Sequence, residues 1–264
     1  MKNNFGKTII IAAALMLMPA ISFAQTYEEL CLRAMAQIEE GETETDVKAK
    51  REAFNKGIAY AEAAIKLDPN KPDGYMWRCG NVGRECQTRS MMEQNSAVGK
   101  MLDDIATILD KLNCTEYAAA WHALAEIYFR HPFKSTDAAV NYTRKAITCI
   151  PKGENWLQTY TLLAEMLYDR NWSADKRASA QKKDVEKFAK KYKTNFDKYA
   201  FFDGSLGVDY ICPWSGKTIG AMSDRDEARA LVAYAKGIYE HTANKSEYDT
   251  KYFKMLNEMI SGWK

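Results

Sequence analysis

The sequence predicts an all-α protein built from antiparallel helical hairpins, and three observations support this. From residue 26 to about residue 200 the apolar residues recur with helical period, and no segment alternates like a half-buried strand. Short breaks separate the helical segments, and short links favour antiparallel neighbours. Residues 64–69 and 146–151 both begin with Ala-Ile and end with proline, so the hairpin unit repeats.

The breaks define the elements in order. They lie at Gly41, Asp68-Pro69, Cys114-Thr115, His131-Pro132 and 151–153. The helices predicted between them cover 26–40, 45–67, 72–88, 91–112, 115–130, 136–149, 154–170 and 173–198. A hydroxyl just before a helix accepts a hydrogen bond from its first turn. The expected N-caps are therefore Thr115, Ser135 or Thr136, and Ser173.

The chain changes character after the eighth helix. Residues 201–223 are rich in glycine and aromatic residues and predict a long irregular segment. Helical periodicity returns over 224–241 and 246–262. Because the last hairpin of a repeat array exposes an apolar face unless it is covered, we interpret 224–264 as capping helices after a repeat region at 25–200.

Two of the predicted helices carry a recognisable pattern. Trp121, Leu124, Ala125 and Tyr128 have the spacing of the tetratricopeptide repeat (TPR), and the helix from residue 154 repeats it with Tyr160, Leu163, Ala164 and Leu167. The chain therefore resembles the TPR family, most strongly over 115–190 and less over 45–88, where Cys79-Gly80 stands at the usual Leu-Gly. Residues 75–151 are also similar to the TPR-like domain of regulator of microtubule dynamics proteins. The resemblance implies a TPR-like hairpin array and no particular partner.

A TPR-like array presents the first helix of each hairpin on a concave groove, which suits a peptide or protein partner. Aligning Cys79, Leu124 and Leu163 predicts, by helical geometry, which residues face this groove. They are Trp77, Asn81, Arg84, His122, Glu126, Phe129, Thr161, Glu165 and Tyr168. Glu126 and Glu165 also have the chemistry of an acid/base pair, although polar groove residues are the simpler interpretation.

The first 24 residues predict a secretory signal peptide. Two lysines precede an apolar run, and Ser22 and Ala24 fit a cleavage site after Ala24. No later run is long enough to span a bilayer, so we expect a periplasmic or secreted protein without a membrane span. The formal charge of +2 disfavours a nucleic-acid partner.

Six cysteines in an exported chain permit disulfides. Cys114 opens one helix and Cys149 closes the next, so in an antiparallel hairpin their ends lie at the same level, and we predict a bridge between them. A pairing of Cys31 with Cys79 and packed free thiols are the alternatives. Neither the cysteines nor the histidines have zinc-ligand spacing, so no metal or other cofactor is predicted.

Two classes of function are compatible with these features. The first is an interaction or scaffold protein that binds a peptide or protein in its groove. The second is a glycan-binding or small-molecule-binding component or an unrecognised enzyme, although no catalytic motif is found. The lysine-rich helix over 174–198 predicts a solvated basic face that offers contact to an anionic glycan, lipid or acidic partner.

Overall fold

The computed structural model describes residues 25–131, 134–188, 190, 192–201 and 209–263. Within these ranges the chain is all-helical and has no β-strand, which confirms the predicted class. The only extended pairing in this part of the chain is an isolated bridge between Ile211 and Thr218. The predicted signal peptide lies outside the described residues.

The helices follow one another along the chain with short links. They are α1 Tyr27–Thr43, α2 Val47–Leu67, α3 Pro72–Cys86, α4 Met91–Ala106, α5 Ala118–Arg130, α6 Thr136–Thr148, α7 Leu157–Arg170, α8 Ala174–Phe188, α9 Asn195–Tyr199, α10 Asp224–His241 and α11 Glu247–Gly262. A π-helical turn, Thr107–Lys111, continues α4, and a 3₁₀ turn, Ile219–Ala221, precedes α10.

Gly41 does not end the first helix, since α1 continues to Thr43, and α7 starts at Leu157 rather than at residue 154. Two further predicted boundaries are wrong for identifiable reasons. The helix from Thr115 starts only at Ala118, because the Thr115 carbonyl accepts a hydrogen bond from Trp121 Nε1 at 2.7 Å instead of starting the helix. The helix over 173–198 ends at Phe188, and a separate helix, α9, starts at Asn195. Asn195 donates its side-chain amide to the Leu109 carbonyl at 2.8 Å, which ties α9 to the end of the α4 region.

Neighbouring helices pack in the order of the sequence. Contacts join α1 to α2, α2 to α3, α3 to α4, α5 to α6 and α6 to α7. The odd-numbered helices also contact one another in succession, α1 with α3, α3 with α5 and α5 with α7. The fully buried Ala120 and Ala125 of α5 and Ala139 of α6 let these two helices approach closely. The odd helices therefore share one surface.

The partner of α7 is not the helix that follows it. It packs along α10, more than 50 residues further on, whereas α8 packs against the 3₁₀ turn. The reason lies in the two sequences: α10 offers an apolar stripe of Ala228, Leu231, Val232 and Ala235, while the only buried residues of α8 are Arg177 and Gln181. Helix α10 therefore covers α7 in the place where the order of the sequence would put α8, and the interpretation of 224–264 as capping helices stays a prediction.

None of the helices in the described ranges combines the length and the apolar character that crossing a membrane requires.

Candidate functional site

The surface shared by the odd helices carries a chain of charged residues. We call it the odd-helix face and define it by Glu42 of α1, Arg84 of α3, His122 and Glu126 of α5, and Glu165 and Tyr168 of α7. Arg84 Nε lies 3.0 Å from Glu42 Oε1 and links α1 to α3. Arg130 contacts both carboxylate oxygens of Glu165 at 2.6 and 2.8 Å and links α5 to α7. Such ionic links align neighbouring hairpins but are weak where they are exposed.

His122 lies at the centre of the odd-helix face. Its Nδ1 is 3.1 Å from the Thr159 hydroxyl of α7. Burial lowers the pKa of His122, Glu126 raises it and Arg84 lowers it. The imidazole is therefore neutral at pH 7 and is available for hydrogen bonding rather than for charge pairing.

The last helix lies across this face. Lys251 Nζ of α11 is 3.6 Å from Glu42 of α1. Near the other end of α11, the Trp263 ring stacks on Tyr168 of α7, with centroids 4.3 Å apart and planes 6° from parallel. Burial is the largest cause that raises the pKa of Tyr248, and Tyr252 raises it further; Arg84 of α3 lowers this pKa and Glu126 of α5 raises it by smaller amounts. The odd-helix face is thus in contact with a helix of the same chain.

The nine predicted groove residues fall into three groups. Arg84, His122, Glu126, Glu165 and Tyr168 lie on the odd-helix face, as described above. Phe129 is half-buried in the main core, with the Arg130 guanidinium 4.8 Å from its ring centroid. The remaining three, Trp77, Asn81 and Thr161, lie elsewhere.

Asn81 and Thr161 are buried, so the expectation that they line a groove is wrong. The Asn81 amide donates to the Ala34 carbonyl at 3.0 Å, which seats this side chain between α1, α2 and α3. Thr161 is 2% exposed and donates its hydroxyl to the Leu157 carbonyl. Trp77 packs beside Asn81 against the small core cluster of Tyr27, Leu30, Cys31 and Ala64. Helical period alone does not distinguish a groove from a helix–helix junction.

A second group of polar residues lies beneath the first turn of α10, where Asp224 and Glu227 are completely buried. Arg170 of α7 binds Asp224 with two hydrogen bonds of 2.7 and 2.8 Å. Arg144 of α6 contacts Glu227 at 2.8 Å, and Arg177 of α8 pairs with both acids. We call these five residues the arginine–carboxylate cluster, and it joins four helices.

Electrostatics inside the arginine–carboxylate cluster are dominated by burial. Burial lowers the pKa of Arg144 and of Arg177, and Asp224 opposes the effect at both. Glu227 also accepts a hydrogen bond from Trp214 Nε1 at 3.2 Å, which anchors the segment before α10. The sequence analysis missed this cluster and placed Arg177 on a solvated basic face, which is wrong because Arg177 is fully buried.

The cysteines are all free thiols in the structure. Cys149 Sγ lies 3.4 Å from Glu116 Oε2 and 3.7 Å from the Thr115 carbonyl, whereas Cys114 Sγ approaches the Leu112 carbonyl. The end of α6 thus lies beside the residues that precede α5, but Cys114 lies four residues before the first residue of α5, and the Cys114–Cys149 bridge is not formed here. Non-reducing peptide mapping of the purified protein tests whether it forms under oxidising conditions.

A cavity of about 600 Å³ lies between α8 and α9. Lys190, Lys193 and Lys198 contribute to its walls together with Phe188 and Tyr192. Lys198 Nζ already lies 4.7 Å from the Phe188 ring centroid, so part of this positive charge is engaged within the protein. In the described part of the chain, no group of three or more His, Cys, Asp or Glu side chains is placed to hold a metal ion.

Comparison with protein-family models gives no match, and a search of the curated proteins gives none either.

Proposed function

We propose that the protein is an exported scaffold of TPR-like hairpins that binds a peptide or protein partner on the odd-helix face, which forms its concave groove. The single observation that carries this proposal is the successive contact of α1, α3, α5 and α7. Stacked hairpins present their first helices on one continuous surface in this way, and such surfaces suit extended or helical ligands.

The chemistry of the face supports a protein ligand. His122, Glu126 and Arg84 offer hydrogen-bond donors and acceptors, and the charges of Glu126 and Arg84 both act on the pKa of the His122 imidazole. Tyr168 adds an aromatic surface that already stacks on a tryptophan ring. Mixed aromatic and charged groups of this kind dominate the energetics of protein interfaces.

Site-specific cross-linking tests the proposal. A benzophenone amino acid replaces Phe129 near the odd-helix face or, as a control, Leu67 of α2, which is 57% exposed. We expect position 129 to cross-link a defined partner in the cells of origin and position 67 not to do so. Equal cross-linking from both positions would reject the odd-helix face as the binding site.

Affinity for the purified, cross-linked partner then tests the charges. We expect Glu126→Arg to weaken binding by at least ~10-fold, or about 1.4 kcal/mol, because it reverses the charge beside His122. The matched variant Glu52→Arg lies on α2, where the glutamate side chain is 61% exposed, and we expect it to leave the affinity unchanged.

The cavity between α8 and α9 favours a second candidate function, binding of an anionic glycan or small molecule. Lysines beside aromatic rings suit sulfated or carboxylated sugars. A sulfated oligosaccharide is the probe, and we expect Lys190→Glu with Lys193→Glu to abolish its binding. The control pair, Lys182→Glu with Lys183→Glu, changes the same charge on exposed residues of α8. Equal binding by both double variants would exclude the cavity.

A further inference from the structure

The C-terminal helix α11 is held much more loosely than the helix before it. Helix α10 buries six residues, whereas the only buried residue of α11 is Leu256. Tyr248 and Ile260 of α11 are 44% and 41% exposed. Little apolar surface is therefore removed from water when α11 docks, so opening costs little compared with unfolding of α10.

Nevertheless, α11 presents a regular contact stripe to the rest of the protein. Tyr248, Tyr252, Leu256, Met259 and Trp263 recur at intervals of three or four residues and so share one helix face. Tyr252, Met259 and Trp263 pack against the main core, around the fully buried Leu256. This spacing is the pattern by which an amphipathic helix binds a groove.

Contacts of α11 reach the first and the last helix of the odd-helix face. Lys251 Nζ lies 3.6 Å from Glu42 of α1, and the Trp263 ring covers Tyr168 of α7. Arg84 of α3 and Glu126 of α5 also act on the pKa of Tyr248, although burial has the larger effect. A partner that binds this face therefore competes with α11 for the same residues.

The link before α11 permits its release. Residues 243–246 are exposed, and the anchors of α10 lie in its first three turns, far from this link. On the other side, α11 is held by stacking of Phe253 on Tyr239, with centroids 4.1 Å apart. Rotation of α11 away from the face breaks this stack but leaves the arginine–carboxylate cluster intact.

We propose that α11 is a displaceable intramolecular ligand of the odd-helix face, and that the partner is an amphipathic helix that takes its place. The identity of the partner site rests on the proposed function, whereas the docking of α11 does not. The partner helix presents an aromatic and aliphatic stripe at the spacing of α11 and a cation that reaches Glu42. Such a groove is closed until α11 leaves, so the apparent affinity is reduced by the fraction of molecules that are open.

The test uses the full mature chain and a fluorescent synthetic peptide of residues 246–263 as the probe. Leu256→Asp places a charge at the buried centre of the stripe and opens α11. The matched control, Asn257→Asp, adds a carboxylate at the neighbouring exposed position. We expect the peptide to bind Leu256→Asp at least ~10-fold more tightly than the wild type or Asn257→Asp, measured by fluorescence anisotropy. A peptide that carries Leu256→Asp itself should not bind.

Equal affinity in all three proteins would overturn the proposal, as would equal binding by the substituted peptide. If circular dichroism shows that Leu256→Asp disrupts more than one helix, Trp263→Ala decides, since it removes only the half-buried ring at the chain end. We expect Trp263→Ala to tighten peptide binding ~3-fold, and an unchanged affinity would count against displacement. A wild-type dimer that Leu256→Asp dissociates would overturn intramolecular docking, because α11 would then dock between copies.

The outcomes separate this inference from the proposed function. If neither the wild type nor the two variants bind the peptide, while Glu126→Arg still weakens binding of the partner found by cross-linking, the face binds a partner and α11 does not compete with it. If the peptide binds the opened protein but the partner is insensitive to Glu126→Arg, α11 docks as described and the proposed partner site is wrong. Both proposals together require that Leu256→Asp also tighten partner binding.

Discussion

Two junctions between helices in this protein are stabilised in different ways, one by close packing of backbones and one by buried charges. Where α1, α2 and α3 meet, Gly57 and Ala34 let the backbones approach, and the buried Asn81 amide donates to backbone carbonyls. Where α6, α7, α8 and α10 meet, five charged side chains are buried together. The first junction depends on shape, so we expect an added side-chain atom to destabilise it. The second depends on charge balance, so we expect the loss of one charged partner to destabilise it.

The largest expected effect comes from unbalancing the second junction. Its three guanidinium groups face two completely buried carboxylates, with half-exposed Asp137 as a third. Glu227→Gln leaves Arg144 and Arg177 without their shared acid, so we expect a loss of about 3–5 kcal/mol in the free energy of unfolding. Urea denaturation measures it, and Glu240→Gln, exposed on the same helix, is the control.

Removing a cation instead of an anion gives a sharper test of charge balance in the arginine–carboxylate cluster. Arg177→Met removes a cation and leaves Arg144 with Glu227 and Arg170 with Asp224, each in its own pair. We therefore expect Arg177→Met to destabilise the protein less than Glu227→Gln does. A larger loss for Arg177→Met would show that packing, rather than charge balance, controls this junction.

A smaller effect tests the first junction. A Cβ atom at position 57 would overlap the Asn81 side chain, so Gly57→Ala forces a buried, hydrogen-bonded group to move. Overpacking costs about 1–3 kcal/mol and the gain in helix propensity returns up to about 1, so we expect a net loss of about 1–2 kcal/mol in urea denaturation.

Gly99→Ala is the matched control, because nothing lies within 4 Å of its added Cβ atom, and we expect it to be neutral or stabilising. In an Asn81→Ala background the cost of Gly57→Ala should largely vanish. The same cost in both backgrounds would contradict the steric argument.

The pH dependence of stability distinguishes the odd-helix face from both junctions. Because burial lowers the pKa of His122 in the folded state, the unfolded chain binds the proton first as the pH falls below about 6.5. Stability should therefore decrease below that pH, by at most about 1.4 kcal/mol per pH unit from this group. We expect His122→Gln to reduce the slope between pH 6.5 and 5, and an unchanged slope would assign it to other residues.

The smallest effect belongs to the ionic link on the odd-helix face. The side chains of Arg130 and Glu165 are 54% and 29% exposed, so solvent screens their attraction. We expect Glu165→Gln to cost less than about 1 kcal/mol, and less still in high salt. A loss as large as that of Glu227→Gln would remove the distinction between surface and buried charge in this fold.

The sequence predicts those features that depend on residues close together along the chain, such as the helices and their N-caps. Helical period located the helices from α1 to α6, and Ser135 caps α6 as expected, with its hydroxyl accepting a hydrogen bond from the Ala138 amide at 3.3 Å. It also predicts that Arg84, His122 and Glu126 share one face, and the charges of Arg84 and Glu126 both act on His122 in the structure.

What the sequence could not show depends on distant partners. Arg144 and Arg177 lie among polar residues that resemble a solvated surface, but α10 and the residues just before it, more than 40 residues beyond Arg177, cover them. Asn81 and Thr161 have the same helical phase as true face residues, but Asn81 donates to the Ala34 carbonyl of α1, and Thr161 is buried with its hydroxyl bonded to the Leu157 carbonyl within α7. The residues around a polar side chain in the sequence do not predict whether a distant segment will bury it.

The pairing of α7 with α10 has a consequence for the order of folding. The hairpins α1–α2, α3–α4 and α5–α6 each close a loop of a few residues, whereas the last hairpin closes one of more than 50 residues. Loop closure costs entropy before any contact forms, so the local hairpins gain their contacts early and α7 must wait for α10. During synthesis, which proceeds from the amino end, the side of α7 that packs on α10 therefore stays exposed until the chain has been made as far as residue 241.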